Sequence, residues 1–242
     1  TRATWVPAAC WTTRWQATAA STWSSGSGRI WAAVVTCLLV GGAIVKSQFT
    51  PLIFNLYCLG AFLGTLYSVP PFTFKRFPIV AGGIIAIVRG FLLNFGVYYA
   101  VREALSVPFQ WNPVVLFISS FMTLFASVIA VTKDLPDVEG DEKYNITTFA
   151  STYGVRKIAK AAVAVLSLAY MATIGIALSS FKYEWGFRAL PMAVGHSILL
   201  IYLFLGYRRL VSSGFTQEGI KCFYYKSIWN AFYLEYMLYP FI

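Results

Sequence analysis

Residues 114–143 read VVLFISSFMTLFASVIAVTKDLPDVEGDEK, an apolar run that ends in a cluster of carboxylates. Five of the nine acidic residues of the chain lie in the last ten positions of this stretch. On a helix Asp134, Asp137 and Asp141 would share one face, although Pro136 tends to begin or kink a helix. Carboxylates on one face repel each other unless a cation lies among them, and oxygen ligands suit Mg²⁺ shared with substrate phosphates. The alternative interpretation is a solvated acidic loop at a helix end.

The composition of the whole chain is that of an integral membrane protein. Hydrophobic residues make up 58% of the 242 residues and charged residues only 12%, with a mean hydropathy of +0.66. Apolar segments follow one another at approximately 30–45, 51–67, 79–101, 112–132, 158–180, 189–207 and 223–242. Most can cross a hydrocarbon core of about 30 Å as a helix that rises about 1.5 Å per residue. Because backbone in lipid must satisfy its own hydrogen bonds, we predict an all-α bundle of seven transmembrane helices.

The beginning of the chain differs from the rest. Tryptophans stand there among Ala, Ser and Thr without a helical or strand period, and a Ser/Gly run follows at 24–28. This stretch fits either an interfacial lead-in or sequence outside the fold. We therefore divide the chain into an irregular lead-in, 1–28, and a transmembrane domain, 29–242.

Basic residues are distributed unequally between the two sides of the predicted membrane domain. When the connections are assigned alternately, fourteen Lys and Arg residues lie on one side and four on the other, with Arg89 inside a helix. This bias predicts that the basic side faces cytoplasm, matrix or stroma. The acidic cluster lies on the basic side. So does the stretch YSVPPFTFKR at 67–76, whose paired prolines predict a non-helical turn.

Basic and acidic side chains thus converge on one membrane face, above a bundle able to hold an apolar tail. A diphosphate requires such a combination, because Mg²⁺ held by carboxylates and nearby Lys or Arg neutralise its charge. Arg89 and Asn94 lie within the segment 79–101, where an ionisable group is costly and usually functional. The alternative for Arg89 is a side chain that snorkels to the interface. Lys75 and Arg76 fit either substrate contact or a positive-inside loop.

Other functional classes find less support. The single histidine, His196, stands in an apolar run and is interpreted as a helix-packing residue rather than a metal ligand. A transporter predicts charged residues within several helices and internal repeats, whereas only Arg89 is so placed. A phosphatidyl-group transferase predicts a DG-x-x-AR run, which the sequence lacks.

Several stretches resemble one family of membrane enzymes. Residues 137–141, DVEGD, resemble the second aspartate motif (DxxxD) of the UbiA superfamily of intramembrane aromatic prenyltransferases. Residues 67–76 resemble a loop of that family, and Arg89-Gly90 with Asn94 resembles its next helix. The longer strings that are similar to plastid homogentisate prenyltransferases, especially the solanesyl-transferring members, are 90–99 (GFLLNFGVYY), 132–141 (TKDLPDVEGD) and 228–236 (IWNAFYLEY). The similarity extends from about Gly28 to Ile242.

The resemblance implies a bundle of nine transmembrane helices, of which the seven predicted here would be the third to the ninth. It implies that Asp137 and Asp141 are catalytic and hold Mg²⁺ through the diphosphate. The residues expected to contact the substrate or its diphosphate are Tyr67, Lys75, Arg76, Arg89, Asn94, Lys133, Asp134 and Lys143. The family also has a first motif, NxxxDxxxD, whereas residues 1–28 contain neither Asp nor Asn. We therefore expect residues 1–242 alone not to catalyse, and an inactive fragment remains one alternative.

The activity implied by the resemblance is electrophilic aromatic prenylation. A polyprenyl diphosphate, with solanesyl diphosphate expected, would alkylate homogentisate with loss of CO₂, on the route to plastoquinone. The alternative is phytyl or geranylgeranyl transfer on the route to tocopherols or tocotrienols. The expected location is the plastid inner envelope or thylakoid membrane. The expected partners are the two substrates and the lipid bilayer, and no nucleic acid is expected to bind. The sequence predicts neither the prenyl length nor the oligomeric state.

Overall fold

The computed structural model describes residues 23–143, 147–179 and 186–242. Helices account for most of these residues, and no strand occurs among them. The chain divides into two compact units, 1–58 and 59–242. The predicted all-α class is confirmed.

The first unit is described from Trp23 onward. Helix α1 spans Trp23–Gln48 and therefore begins inside the stretch predicted to be irregular, before the expected start at residue 30. Residues 1–22 of the predicted lead-in lie outside the described residues. The Tyr57 hydroxyl donates to the Leu38 carbonyl at 2.6 Å and so joins helix α2, Pro51–Ser68, to α1 within this unit.

The second unit contains the end of α2 and the remaining elements. A 3₁₀ turn, Phe74–Arg76, precedes a continuous helix made of α3, a π-helical segment called π1, and α4. A second long helix near the C-terminus likewise combines α10, a π-helical segment called π2, and α11. The bounds are Pro78–Ile85 (α3), Ala86–Leu92 (π1), Leu93–Ala104 (α4), Pro113–Thr132 (α5), Val138–Lys143 (α6), Phe149–Tyr153 (α7), Val155–Leu178 (α8), Ala189–Ser212 (α9), Gln217–Cys222 (α10), Phe223–Ile228 (π2) and Trp229–Leu238 (α11). A 3₁₀ turn, Tyr239–Phe241, follows.

Six helical stretches in the described part of the chain are long and apolar enough to cross a membrane. They are Gly28–Gln48, Pro51–Ser68, Pro78–Ala104, Pro113–Lys143, Val155–Leu178 and Ala189–Ser212. The predicted seventh segment, 223–242, is also helical over nearly all its length but is not among these six. It carries Lys226 and Glu235, and such charges lower the apolar character that a spanning helix needs.

The outward faces of the long helices are apolar. Ile79, Leu178 and Leu190 expose 78%, 71% and 75% of their surface. A water-soluble protein rarely exposes large contiguous apolar patches, whereas lipid tails accept them without cost. The outward faces therefore fit contact with a bilayer.

The core of the second unit lies around α5. Asn112 caps this helix by accepting a hydrogen bond from the Val114 amide at 2.8 Å, and Pro113 occupies its first turn. Along its buried face, Phe121 and Phe125 pack against the other helices; Phe125 meets Phe232 of α11 at 5.5 Å between ring centroids. The aromatic core thus connects α5 to the C-terminal helix.

The π1 segment approaches α5 very closely at Gly90. A Cβ atom added to Gly90 would lie 2.3 Å from the Cα atom of Thr123. Glycine permits this backbone contact, a usual device for packing membrane helices. Residue 89, next to it, is thereby held at a defined position beside α5.

Candidate functional site

Lys133 connects two parts of the chain that are far apart in sequence. It follows α5 directly, and its Nζ atom donates to the Tyr67 hydroxyl at 3.4 Å. The same Nζ atom lies 3.8 Å from Oδ1 of Asp134. The end of α2 and the acidic turn after α5 therefore lie at the same end of the second unit, as the charge distribution predicted. Because Tyr67 accepts from Lys133, its own hydroxyl proton is available to an anionic ligand.

The acidic turn consists of a 3₁₀ turn, Leu135–Asp137, followed by α6. Pro136 begins it, which fits the fixed φ of proline. Asp134, Asp137 and Asp141 are close enough to repel one another electrostatically. The predicted clustering of the three carboxylates is thus present in the structure.

Gln217 holds this acidic turn in place. Its side-chain amide donates to the carbonyl oxygen of Pro136 and so ties the start of α10 to the turn. The sequence analysis missed this residue, because a contact across 81 positions leaves no local pattern. The position of the carboxylates therefore depends on the C-terminal helix.

Arg89 lies in π1, where the regular α-helical hydrogen bonding changes to the wider π form. Its guanidinium carbon lies 5.0 Å from the ring centroid of Trp229, a distance typical of a cation–π contact. Trp229 follows directly after π2. The pair therefore joins π1 to the residue that follows π2, and π segments inside α-helices occur frequently at functional sites.

A cavity of about 330 Å³ opens beside Arg89 and Lys133. Its lining is made of Gly60, Gly64, Tyr67, Ile84, Ile85, Val88, Arg89, Ile129, Ala130, Lys133, Tyr224 and Trp229. Two cationic side chains, two tyrosines and the indole of Trp229 supply its polar groups, while aliphatic and aromatic side chains form its walls. This volume and this mixture of surfaces are typical of small-molecule sites. The arrangement can bind an anionic group that carries an apolar tail.

Tyr224 and Trp229 are lining residues that the sequence analysis did not select. Tyr224 interacts electrostatically with both Asp134 and Arg89, so it lies near both the acidic turn and the cation of π1. The density of aromatic residues from 223 to 236 was the available signal. That density alone does not identify a functional residue, because aromatic residues in a membrane helix usually serve packing.

The other selected residues lie outside the cavity lining. Asn94 donates to the Tyr236 hydroxyl at 3.2 Å and so ties α4 to α11. Lys75 and Arg76 are exposed on the 3₁₀ turn after α2. The remaining residues, which lie on the turn beyond the end of α5, are Asp134, Asp137, Asp141 and Lys143. Of the predicted substrate contacts, the cavity itself brings together Tyr67, Arg89 and Lys133.

The carboxylates fit a metal ion that is shared with a ligand. No group of three or more His, Cys, Asp and Glu in the described ranges is placed to hold a metal by itself. Oδ2 of Asp141 is nevertheless buried without a hydrogen-bond partner among these residues, although the same carboxylate interacts with the Thr148 side chain, and Asp137 is exposed. Mg²⁺ commonly takes one or two carboxylates and completes its six ligands with waters and substrate phosphates. The open acceptor on Asp141 matches that mode of binding.

Comparison with known proteins gives a consistent result. Residues 9–225 match the sequence pattern of the UbiA prenyltransferase family. A probable homogentisate phytyltransferase 2 of Oryza sativa subsp. japonica is 50% identical over 212 residues, covering 88% of this chain and 55% of the relative.

Two further relatives are similar over the same part of the chain. The homogentisate solanesyltransferase of Arabidopsis thaliana is 50% identical over 212 residues, covering 88% of this chain and 54% of the relative. A 2-acylphloroglucinol 4-prenyltransferase of Humulus lupulus is 38% identical over 222 residues, covering 89% and 52%. The chain thus spans about half the length of the curated relatives it matches. No solved structure matches it.

Proposed function

The chain belongs to the UbiA prenyltransferase family, and on that basis we propose that it acts in the transfer of a prenyl group from a prenyl diphosphate to homogentisate in a plastid membrane. The names of the relatives that are 50% identical to it support the acceptor and the plastid location. The structural observation that carries the proposal is the cavity with Arg89 and Lys133 at its polar part and an apolar interior.

Arg89, Lys133 and Tyr67 bind the diphosphate. Hydrogen bonds from cationic donors to phosphate oxygens are roughly twice as strong as neutral ones. When the allylic C–O bond breaks, its electron pair leaves with the diphosphate, so negative charge grows at that group. Fixed cations stabilise charge that develops in the transition state. The two basic side chains therefore contribute to the reaction as well as to binding.

Asp137 and Asp141 would hold Mg²⁺ together with oxygens of the diphosphate, and the ion would neutralise charge on the leaving group. Gln217 positions the turn that carries these carboxylates. Lys133, which is paired with Asp134, lies between this turn and the cavity. The acidic turn and the cavity therefore serve the two ends of the same bound diphosphate.

The apolar lining protects the allylic carbon from water. Ile84, Val88 and Ile129 face the cavity and offer no hydrogen-bonding group that would hold a water molecule there. A ring carbon of homogentisate then forms the new C–C bond with the allylic carbon and loses its proton, which restores aromaticity. The carboxyl group of the side chain leaves as CO₂, and the CH₂ carbon that carried it takes up a proton and becomes a methyl group. Exclusion of water prevents hydrolysis of the reactive carbon.

Solanesyl diphosphate is the proposed donor, with plastoquinone synthesis as the pathway. Residues 90–99 and 132–141, which are similar to solanesyl-transferring members of the family, support this choice. The equal identity to a phytyl-transferring and a solanesyl-transferring relative makes phytyl diphosphate the competing donor. A direct comparison of donors separates the two.

The test uses membranes that contain the chain. A second preparation carries a chimera in which the N-terminal half of the Arabidopsis thaliana relative precedes residue 29, since the chain spans about half of that relative. Homogentisate and Mg²⁺ are supplied with solanesyl, phytyl or geranylgeranyl diphosphate, and lipid extracts are analysed by mass spectrometry. A decarboxylated, prenylated product from the chimera is expected, with the highest yield from solanesyl diphosphate.

Two substitutions connect that result to the cavity. Arg89→Leu in the chimera should lower product formation strongly, whereas Arg208→Leu removes the same charge from an exposed position outside the cavity and should change little. Absence of product with every donor would contradict the proposed reaction. Equal yields from the two variants would contradict the proposed role of the cavity.

A further inference from the structure

A second cavity, of about 290 Å³, opens between α9, α10 and π2. It shares no lining residue with the cavity beside Arg89, so the two are separate and the proposed prenyl transfer gives this one no role. The polar side chains of its lining include Tyr202, Arg209, Thr216, Glu218, Lys226 and Ser227.

This second cavity lies where α9 reaches the basic side of the membrane. Arg209 is in the last turn of this helix, which is long and apolar enough to span a membrane. The Tyr202 hydroxyl donates to the carbonyl oxygen of Lys226, so π2 meets α9 seven residues before Arg209. At 1.5 Å per residue, that contact lies about 10 Å deeper along the helix. The cavity therefore extends from the interface into the apolar layer, and the Lys226 side chain snorkels toward the interface.

Arg209 and Lys226 bring two positive charges into this one cavity. Glu218 also lines it, yet no ion pair joins either cation to a carboxylate among the described residues. Like charges that share a small volume repel each other, and the repulsion grows where the surroundings are apolar. An anion bound between the two side chains removes that cost. The charges therefore indicate an anionic ligand.

Two hydroxyl groups of the lining are able to donate to such a ligand. Ser227 is only 7% exposed, and its hydroxyl makes no hydrogen bond with another of the described residues. The Thr216 hydroxyl oxygen accepts from the Gly219 amide at 3.2 Å, which leaves its proton available. Buried polar groups without a partner are rare in native proteins, and each needs an explanation. An oxygen atom of a ligand in the cavity would be the missing partner of Ser227.

We propose that this cavity binds the headgroup of one anionic phospholipid from the leaflet on the basic side, with the phosphodiester between Arg209 and Lys226. Basic pockets between transmembrane helices on this side of a membrane suit such headgroups. The hydroxyls of Ser227 and Thr216 donate to phosphate oxygens. The acyl chains lie against exposed apolar side chains that neighbour the lining residues in sequence, namely Phe204, Leu205 and Tyr225.

The balance of charges selects the kind of phosphate. Two cations and one carboxylate, Glu218, give the lining a net charge of +1, which a phosphodiester with its single negative charge neutralises. A phosphomonoester carries about −1.5 to −2 near pH 7 and would leave excess negative charge beside Glu218. A headgroup hydroxyl can donate to Glu218, whereas the carboxylate of a serine headgroup would be repelled. The preferred lipid therefore has an uncharged, hydroxylated headgroup, as phosphatidylglycerol has.

The first test counts retained lipids by native mass spectrometry of the protein released from nanodiscs of mixed phosphatidylcholine and phosphatidylglycerol. We expect one retained phosphatidylglycerol. In Arg209→Gln/Lys226→Gln its affinity should fall roughly thirtyfold, at about fivefold for each basic residue. The control, Arg208→Gln/Lys221→Gln, removes the same charge from exposed side chains outside the lining and should retain the lipid. Equal retention by the two double variants would overturn the proposal.

The second test uses the unmodified protein and Cys222, an exposed cysteine that lines the same cavity. A bound headgroup covers its thiol, so alkylation by the neutral reagent N-ethylmaleimide should slow several-fold when phosphatidylglycerol replaces part of the phosphatidylcholine in the nanodiscs. The same change of lipid should alter the rate far less in Arg209→Gln/Lys226→Gln, which separates occupancy of the cavity from the surface potential of the membrane.

Inorganic phosphate, added to nanodiscs of phosphatidylcholine alone, should leave the rate at Cys222 unchanged. Protection by inorganic phosphate would overturn the assignment to a lipid and favour a free anion. Equal rates with and without phosphatidylglycerol would show that no headgroup covers the cavity. Neither measurement requires enzymatic activity, so both are independent of the test for prenyl transfer.

Discussion

Gly90→Ala is the substitution whose effect the structure defines best. The added Cβ atom would lie 2.3 Å from Cα and 2.7 Å from the backbone nitrogen of Thr123. These are backbone atoms, so no rotation of a side chain relieves the contact. Since ordinary contact begins at 3.4 Å, π1 and α5 would have to separate by about 1 Å, which a close-packed interior resists.

The magnitude follows from two opposing effects. Overpacking of this kind typically costs about 1–3 kcal/mol, while alanine gains up to about 1 kcal/mol over glycine in a helix. Because the contact is with backbone atoms, the upper part of that range, about 2–3 kcal/mol, applies, and a net loss of about 1–2 kcal/mol is expected. At about 2–4 °C per kcal/mol for a chain of this size, Tm should fall by roughly 2–8 °C. Arg89 moves with π1, so product formation should fall as well.

The control lies on the same continuous helix. A Cβ atom added to Gly83 meets nothing within 4 Å, so Gly83→Ala should leave Tm unchanged or slightly raised. Both variants are measured by thermal unfolding in nanodiscs, with the unmodified protein beside them. Equal Tm values for Gly90→Ala and Gly83→Ala would refute the close approach of π1 to α5.

Three further predictions concern the acidic turn and its neighbours, and each is measured in the active chimera. Asp137→Ala or Asp141→Ala should lower the rate of product formation by about 10²–10³-fold, the usual loss on removing one preorganised electrostatic contact. The control is Glu139→Ala, which should be tolerated because Glu139 is exposed. Full activity of Asp141→Ala would contradict the role of Asp141 in holding Mg²⁺. Removal of Mg²⁺ by a chelator should abolish turnover and its return should restore it, and turnover that persists in excess chelator would contradict a metal requirement. Gln217→Ala should raise KM for the prenyl diphosphate, because the acidic turn loses its tie to α10, and an unchanged KM would show that the turn holds its position alone.

Local chemistry is sufficient to predict the class of the fold and the side of the membrane on which the site lies. The segments 51–67 and 112–132 coincide closely with α2 and α5, because an apolar run of that length has no other stable arrangement in lipid. The non-helical turn within 67–76 follows from its paired prolines, because proline restricts the backbone. Asp134, Asp137 and Asp141 cluster as their spacing predicts. Each of these features is determined by residues that lie close together in the sequence.

The start of α1 shows the limit of such local patterns. Ser and Gly at 24–28 have weak helix propensity, yet the helix begins at Trp23. The π form of Ala86–Leu92 is another feature without a sequence signal that we could identify. Propensity is a weak prior that the surrounding structure overrides.

Only the tertiary structure decides which distant residues meet. Tyr67 and Lys133 are 66 positions apart, and His196 and Glu235 are 39 apart. The same folding places Arg89 against Trp229 and leaves Asp137 on the turn outside the cavity. The periodicity of a helix determines which face a residue occupies, but the partner across that face depends on how the helices pack. The lining of the cavity and the pairing of His196 with Glu235 are therefore properties of the packed bundle, because no local pattern encodes a contact between separate helices.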